Sequence, residues 1–311
     1  MYLKISYSSM SMDFKRVLLV FITLLVFSGT CVITCTAEEA SSGKKVIIGA
    51  MPFNEQYILA EIAGQLLENA GYTYEINSGL NNAMLYQGIK KGQIDLYIDY
   101  TSAIPTYFEE QKALKNLDPD SVTAEVKEMV IADGVGWGDK IGFRNDYQMA
   151  VKDTFAREKG VENLSDLALN AKDMVLGSDL VFHLDEIYGL PNLEKTYGYS
   201  FREVKPMEPT LMFEAIKNNQ VDIIPASSTD SRIDLFNLTT LNDDKAALAP
   251  YDSILLITKT REDDTAFMDA ISNMQNLIDT KTMRSLNKMF DIDKKDAREI
   301  ANEFLTEQGL I

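Results

Sequence analysis

One stretch of this sequence occurs twice. Leu85–Ser102, LYQGIKKGQIDLYIDYTS, and Met212–Thr229, MFEAIKNNQVDIIPASST, align position by position without a gap. Tyr86 matches Phe213, Ile89 matches Ile216, Lys90 matches Lys217, Gln93 matches Gln220 and Asp95 matches Asp222. Each copy reads as an amphipathic helix, a polar turn (Lys91-Gly92 or Asn218-Asn219) and a buried strand, IDLYI or VDIIP. A strand that follows a helix and runs into polar residues carries them at its carboxyl end, where open α/β sheets place their ligands. The copies lie too far apart for a solenoid period. They predict two α/β lobes, each presenting one strand end, Asp99-Tyr100-Thr101 or Ala226-Ser227-Ser228, to a shared cleft.

The rest of the chain fits that frame. Lys45-Val46-Ile47-Ile48-Gly49 predicts a first, buried strand of parallel type. Asn54 is the expected N-cap of a helix reaching Ala70, with Ile58, Leu59, Ile62, Leu66 and Leu67 on one face and Gly71 stopping it. Tyr72–Ile76 predicts the second strand, Pro105 marks a loop, and Asp118-Pro119 opens a helix ending near Asp133. Gly134–Phe143 is glycine-rich, and Phe143–Tyr147 breaks it before the strand Gln148–Val151, a break that reads as the crossover into the second lobe. A short helix (Leu164–Ala171) and strands at Met174–Gly177 and Phe201–Val204 precede the second copy. Pro250-Tyr251 leads into Ser253–Thr258, an apolar strand returning to the first lobe, and three helices capped near Asp263, Thr280 and Asp293 finish the chain. The expectation is a mostly parallel sheet in each lobe, residues 46–144 plus 251–311 forming one and 145–250 the other. Two lobes joined by a double hinge describe a clamshell that closes around a small solute.

Composition removes several classes of function. The 311 residues include 47 acidic against 30 basic ones, a net charge of -17, which argues against a nucleic acid partner. Residues 1–37 are a separate object: Lys15-Arg16 precede an apolar run from Val17 to Cys35. That pattern predicts a secretory signal or an uncleaved membrane anchor, with residues 38–45 as linker. Cys35-Thr36-Ala37 fits a cleavage site, and Cys31 and Cys35 are candidate lipidation sites. Both cysteines fall inside this segment, so the exported domain has no disulfide, thiolate metal site or cysteine nucleophile. The single histidine, His183, is expected to be a hydrogen-bonded structural residue rather than a zinc ligand. There is no G-x-S-x-G elbow, Walker loop, HExxH or dinucleotide fingerprint, so neither an enzyme nor a cofactor is expected.

Three tyrosines fall where the topology predicts the cleft: Tyr100 closes the first copy, and Tyr147 and Tyr251 sit at the two crossings. Together they are positioned to line an aromatic box for a quaternary ammonium group. Each cation–π contact in such a box contributes roughly 0.5–1 kcal/mol when exposed and about 2 when desolvated.

Several motifs now identify a family. Gly49-Ala50-Met51-Pro52-Phe53-Asn54-Glu55-Gln56, Ile94–Thr101, Gly189-Leu190-Pro191 with Lys195-Thr196-Tyr197-Gly198, Ser228-Thr229-Asp230-Ser231-Arg232 and the closing Phe304–Ile311 resemble the glycine betaine/choline substrate-binding proteins of ABC importers. The resemblance runs in order from about Val46 to the last residue. It implies the type II periplasmic-binding fold, extracytoplasmic capture of a solute and delivery to a membrane permease, by a protein expected to be a monomer. The family's cage tyrosines fall on Tyr100, Tyr147 and Tyr251, and a main-chain carbonyl of its site falls at Asn145; where a fourth tyrosine is expected, this chain has Ser227.

Other departures concern the ligand's tail. The family's Gly-Ser-Lys is Gly49-Ala50-Met51 here, its threonine three residues past the first cage tyrosine is Ala103, and its carboxylate-binding arginine is missing. The loop that should hold that arginine, Ser178–Tyr188, has no Arg or Lys but has Asp179, His183, Asp185 and Glu186. A carboxylate buried without a cationic partner costs several kcal/mol, so the expected ligand is a cationic amine such as choline rather than glycine betaine. Asp185 or Glu186 is expected to stand where the family has its arginine. Two alternatives are an uncharged or zwitterionic solute held by Ser227, Ser228 and Asn145, and a sensory or scaffold ectodomain that keeps the clamshell without transport.

Overall fold

The computed structural model describes residues 45–108, 114 and 117–311, so the expected leader at 1–37 and residues 38–44 of the linker lie outside the described residues. In chain order the strands are β1 (Lys45–Ala50), β2 (Thr73–Ser78), β3 (Leu96–Tyr100), β4 (Val135–Arg144) and β5 (Tyr147–Lys152). They continue as β6 (Val175–Ser178), β7 (Glu203–Pro206), β8 (Ile223–Ser227), β9 (Leu238–Thr240) and β10 (Asp252–Thr258). Two five-stranded sheets result, ordered β2-β1-β3-β10-β4 and β7-β6-β8-β5-β9. Their cores are separate: the first draws on Val46–Phe143 and Ile254–Leu305, and the second on residues from Met149 to Leu248. Among the described residues no helix is long and apolar enough to cross a membrane.

The duplicated unit builds equivalent pieces of both sheets. Helix Asn82–Lys90 leads into β3, and helix Pro209–Lys217 leads into β8. The matched aspartates do the same work: Asp95 Oδ2 accepts from Ile47 N at 2.7 Å, and Asp222 Oδ2 accepts from Val175 N at 2.7 Å. In each case the aspartate's own N–H returns a bond to the same residue's carbonyl, at 2.8 Å. The aspartate thus fixes the register of its strand against the neighbouring β1 or β6.

The sheets are mixed: in each, four strands run one way, as a mostly parallel sheet would have them, and one strand, β10 or β5, runs antiparallel to both of its neighbours. The reason lies in the crossings. β10 enters the first sheet, and β5 the second, from the end where β3 and β8 finish, so each must run against its neighbour. The glycine-rich segment is β4, and the expected break at Phe143–Tyr147 falls where β4 gives way to β5. The glycines of β4 permit close approach on two sides: a Cβ on Gly136 would sit 2.6 Å from Ile257 Cγ1 of β10, and one on Gly142 would sit 2.8 Å from Ile278 O, just before the helix Thr280–Asp291. Gly142 also adopts φ +121, and the pairing with β10 is irregular along this edge.

Helix Asn54–Asn69 buries the expected face, Ile58, Leu59, Ile62, Leu66 and Leu67. Its flanking residue is Phe53, without a side-chain cap; Asn54 lies inside the helix and donates to Asp291 Oδ2 at 2.7 Å instead. Pro105 sits within a 3₁₀ turn, Thr101–Tyr107, rather than an open loop. The three C-terminal helices are capped by Asp264, Asp279 and Asp296, within a few residues of the expected positions.

Candidate functional site

The strand ends and the crossings meet in one place. Tyr100 is the last residue of β3 and pairs with Ser253, two residues after Tyr251. Tyr147 opens β5 and pairs with Ser227, the last residue of β8. The two crossings lie side by side, Asn145 N donating to Tyr251 O at 2.9 Å. Asp146 ties them further, its carboxylate accepting from Tyr251 N at 2.6 Å and pairing with Arg144 at 2.9 Å. Tyr100, Tyr147 and Tyr251 all line one cavity of about 460 Å³. Met51, Ala103, Asn145 and Ser227 line it as well.

Behind the Tyr100 ring stands a layer that sequence reading missed. Tyr100 is nearly buried, its ring stacked on Phe53 at 6.5 Å between centroids and edge-on to Phe143. Its hydroxyl donates to Glu55 Oε1 at 2.5 Å and accepts from Gln56 Nε2 at 3.1 Å. Glu55 is 1% exposed and also accepts from Asn145 Nδ2 at 3.1 Å and Asn287 Nδ2 at 2.9 Å. Burial pushes its carboxyl up, while hydrogen bonds from Thr229, Tyr100, Asn287 and Asn145 favour the charged form. This carboxyl therefore joins the first sheet's elements to the first crossing and to the segment after β8.

The charge around the cavity is negative on balance. Arg232 is the single basic residue among its described lining residues, and it is already paired with Asp230, by Nε at 2.9 Å and Nη2 at 2.6 Å. Its guanidinium also lies 4.0 Å from the Phe213 ring centroid. Asp179 lines the cavity while accepting from Phe182 N at 2.9 Å. Asp185, the acid expected at the tail end, does not line it: its carboxylate accepts from Ile187 N at 2.9 Å and Tyr188 N at 3.1 Å, closing its own turn. Its charge still reaches the site. Burial, then Asp179, then Asp185 push the Tyr147 hydroxyl up to about 12. Burial, Tyr147 and Asp185 push Tyr251 up as well.

Of the small polar groups expected to hold a neutral solute, Ser227 and Asn145 line the cavity and Ser228 does not, and all three are engaged. Ser227 Oγ donates to Asn145 Oδ1, and Ser228 Oγ donates to Arg144 O at 2.7 Å while accepting from Asp146 N at 3.0 Å. His183 Nδ1, expected to be hydrogen bonded, is buried without a partner, and nothing in the structure explains it. Sequence signals for the missed residues were weak. Glu55 reads as an ordinary first-turn glutamate, Asn287 is remote in the chain, and Asp179 differs from Asp185 only by its place on the loop.

Residues 44–307 match the family described as the substrate binding domain of ABC-type glycine betaine transport system. The chain is 28% identical over 289 residues to a glycine-betaine-binding protein of Pseudomonas aeruginosa, covering 88% of this chain and 91% of that protein. It is 29% identical over 298 residues to a carnitine transport binding protein of Listeria monocytogenes, covering 94% and 96%. A crystal structure of a glycine betaine/carnitine/choline ABC transporter superposes with a TM-score of 0.80 at 25% identity, covering 85% of this chain and 99% of that one.

Proposed function

The chain belongs to the family of substrate-binding domains of ABC-type glycine betaine transport systems, and from that premise we propose that it captures a cationic amine of the quaternary-ammonium class. The head group sits among Tyr100, Tyr147 and Tyr251, and residues 46–144 plus 251–311 close on residues 145–250 around it. The loaded protein, working as a monomer outside the cytoplasm and held there through its N-terminus or a lipid, passes the solute to a membrane permease. Capture, not catalysis, is the role of its family.

One observation carries the choice of charge. Three tyrosines converge on a cavity whose one lining arginine is already satisfied by Asp230, with Asp179 on the wall. A ligand carboxylate there would have to break that pair or stay unpaired, at several kcal/mol. A cation meets ring faces and a nearby acid. A neutral polar solute is disfavoured because Ser227, Ser228 and Asn145 already bond to protein groups.

A thermal-shift screen of the full chain against choline, methylated amines, betaines and amino acids tests the reading. A ligand at a hundred times its Kd stabilises by about 2.7 kcal/mol. Choline-type cations should raise Tm, and amino acids should not. A response confined to carboxylate-bearing or neutral solutes would refute it.

A further inference from the structure

The tyrosine-lined cavity has a neighbour. A second cavity, also about 460 Å³, shares Phe53, Asn145, Ser227, Asp230 and Arg232 with it as walls. Its own walls include Glu55, Asn287 and Asp291. Three carboxylates therefore face it, Glu55, Asp230 and Asp291, against one guanidinium that Asp230 already holds. Asp291 accepts from Asn54 Nδ2 at 2.7 Å and Ser231 Oγ at 3.4 Å; among the described residues no cation pairs with it at hydrogen-bond distance, and Arg232 and Lys294 favour its charged form from farther away.

Asn287 supplies the independent sign that a ligand group belongs here. It is 3% exposed, and its Nδ2 donates to Glu55 Oε2 at 2.9 Å and to Thr229 O at 3.0 Å. Both partners are acceptors, so the amide cannot be turned round. Its Oδ1 is left buried with no hydrogen-bond partner, an arrangement folded proteins avoid unless something else completes it. The missing partner is a donor.

Among the walls that the two cavities share, Ser227 is bonded to Asn145, and Asn145 to Glu55. In the duplicated unit, Ser227 occupies the place that Tyr100 holds in the first copy. Serine puts a short side chain at that shared wall.

We propose, building on the reading of the aromatic cavity as an ammonium box, that the second cavity is a subsite for a protonated amine or other cationic hydrogen-bond donor at the far end of the same ligand. The ligand class is thus a two-headed cation, with a quaternary head among the tyrosines and a donor tail meeting Asn287 Oδ1 and Asp291. Arg232, held by Asp230, disfavours a tail whose charge points at that wall and directs it toward Asp291.

Calorimetry on the full chain separates the two claims. The probes are tetramethylammonium, a series of alkyltrimethylammonium ions, and the matching ω-aminoalkyl-trimethylammonium ions of increasing spacer length. At the best spacer, the amine-tailed ion should bind about tenfold or more tighter than its alkyl counterpart, the effect of one charge-assisted hydrogen bond. Asp291→Asn and Asn287→Leu should each weaken the amine-tailed ion far more than tetramethylammonium. Asp291→Asn keeps the test decisive if Asn287→Leu fails to fold. Equal affinity of amine-tailed and alkyl-tailed ions at every spacer, with tetramethylammonium still bound, overturns the subsite and leaves the box standing. No binding of any of the three classes overturns both.

Discussion

Tyr100 joins two functions that substitution can separate. Its ring faces the cavity, and its hydroxyl holds the buried Glu55. Tyr100→Phe keeps the ring and removes one donor from a buried carboxyl, so stability should fall by about 1–3 kcal/mol while an ammonium ligand still binds. Tyr100→Ala and Tyr147→Ala each remove a wall of the proposed box and should weaken that ligand by about tenfold or more, as calorimetry on folded variants would measure. Equal binding by wild type and Tyr147→Ala would contradict the box. Asp99, one residue earlier and fully buried, gives a pH signature. Burial pushes its carboxyl up from 3.8 to about 7, although bonds from Tyr100 N, Tyr97 and Tyr107 favour the ionised form. Between those values the native protein holds a proton that the unfolded chain has released. The carboxyl's contribution to stability is therefore full below about 3.8 and lost as pH rises toward about 7. In urea unfolding, Asp99→Asn should gain on wild type by about 1.4 kcal/mol per pH unit within that window. Parallel curves for the two proteins would show that Asp99 titrates normally.

Among the elements, β4 shows how one residue type carries two messages. Glycine signals a turn in sequence, yet Gly136 lies inside a paired strand because β10 leaves no room for a Cβ there. Gly136→Ala should lower stability by about 1–3 kcal/mol in thermal or urea unfolding; an unchanged midpoint would mean that Ile257 can move aside at no cost. The duplicated helix–strand unit, by contrast, was legible, because helical spacing followed by an apolar run is a local pattern and it recurs in both copies. From it came the two sheets, the crossings and the meeting of Tyr100, Tyr147 and Tyr251. The reversed direction of β5 and β10 was not legible, since parallel and antiparallel buried strands share one apolar pattern. Glu55 and Asn287 were invisible for a related reason. Their bond links the helix Asn54–Asn69 to the helix Thr280–Asp291, and no local pattern records a contact made only by folding.

For the whole molecule, the balance of charge and the double crossing combine into one account. The chain carries a net charge of -17, and around the cavity the described acids outnumber the described bases. A field of that sign speeds the approach of a cation and opposes an anion, while the local pairing of Arg232 with Asp230 denies a carboxylate its partner. The crossings, bonded to each other through Asn145, Tyr251 and Asp146, hold the two halves at the base of the cleft, so the proposed motion is closure about that pair. Tyr188 also accepts from Leu114 N at 3.0 Å, a further contact between the two halves. The central claim, that this cleft selects a cationic quaternary amine over the betaine zwitterion, is tested most directly by calorimetry of choline and glycine betaine side by side on the same protein. The account predicts choline tighter by about tenfold or more, in line with one unpaired carboxylate. Tight binding of glycine betaine with no heat from choline would contradict it.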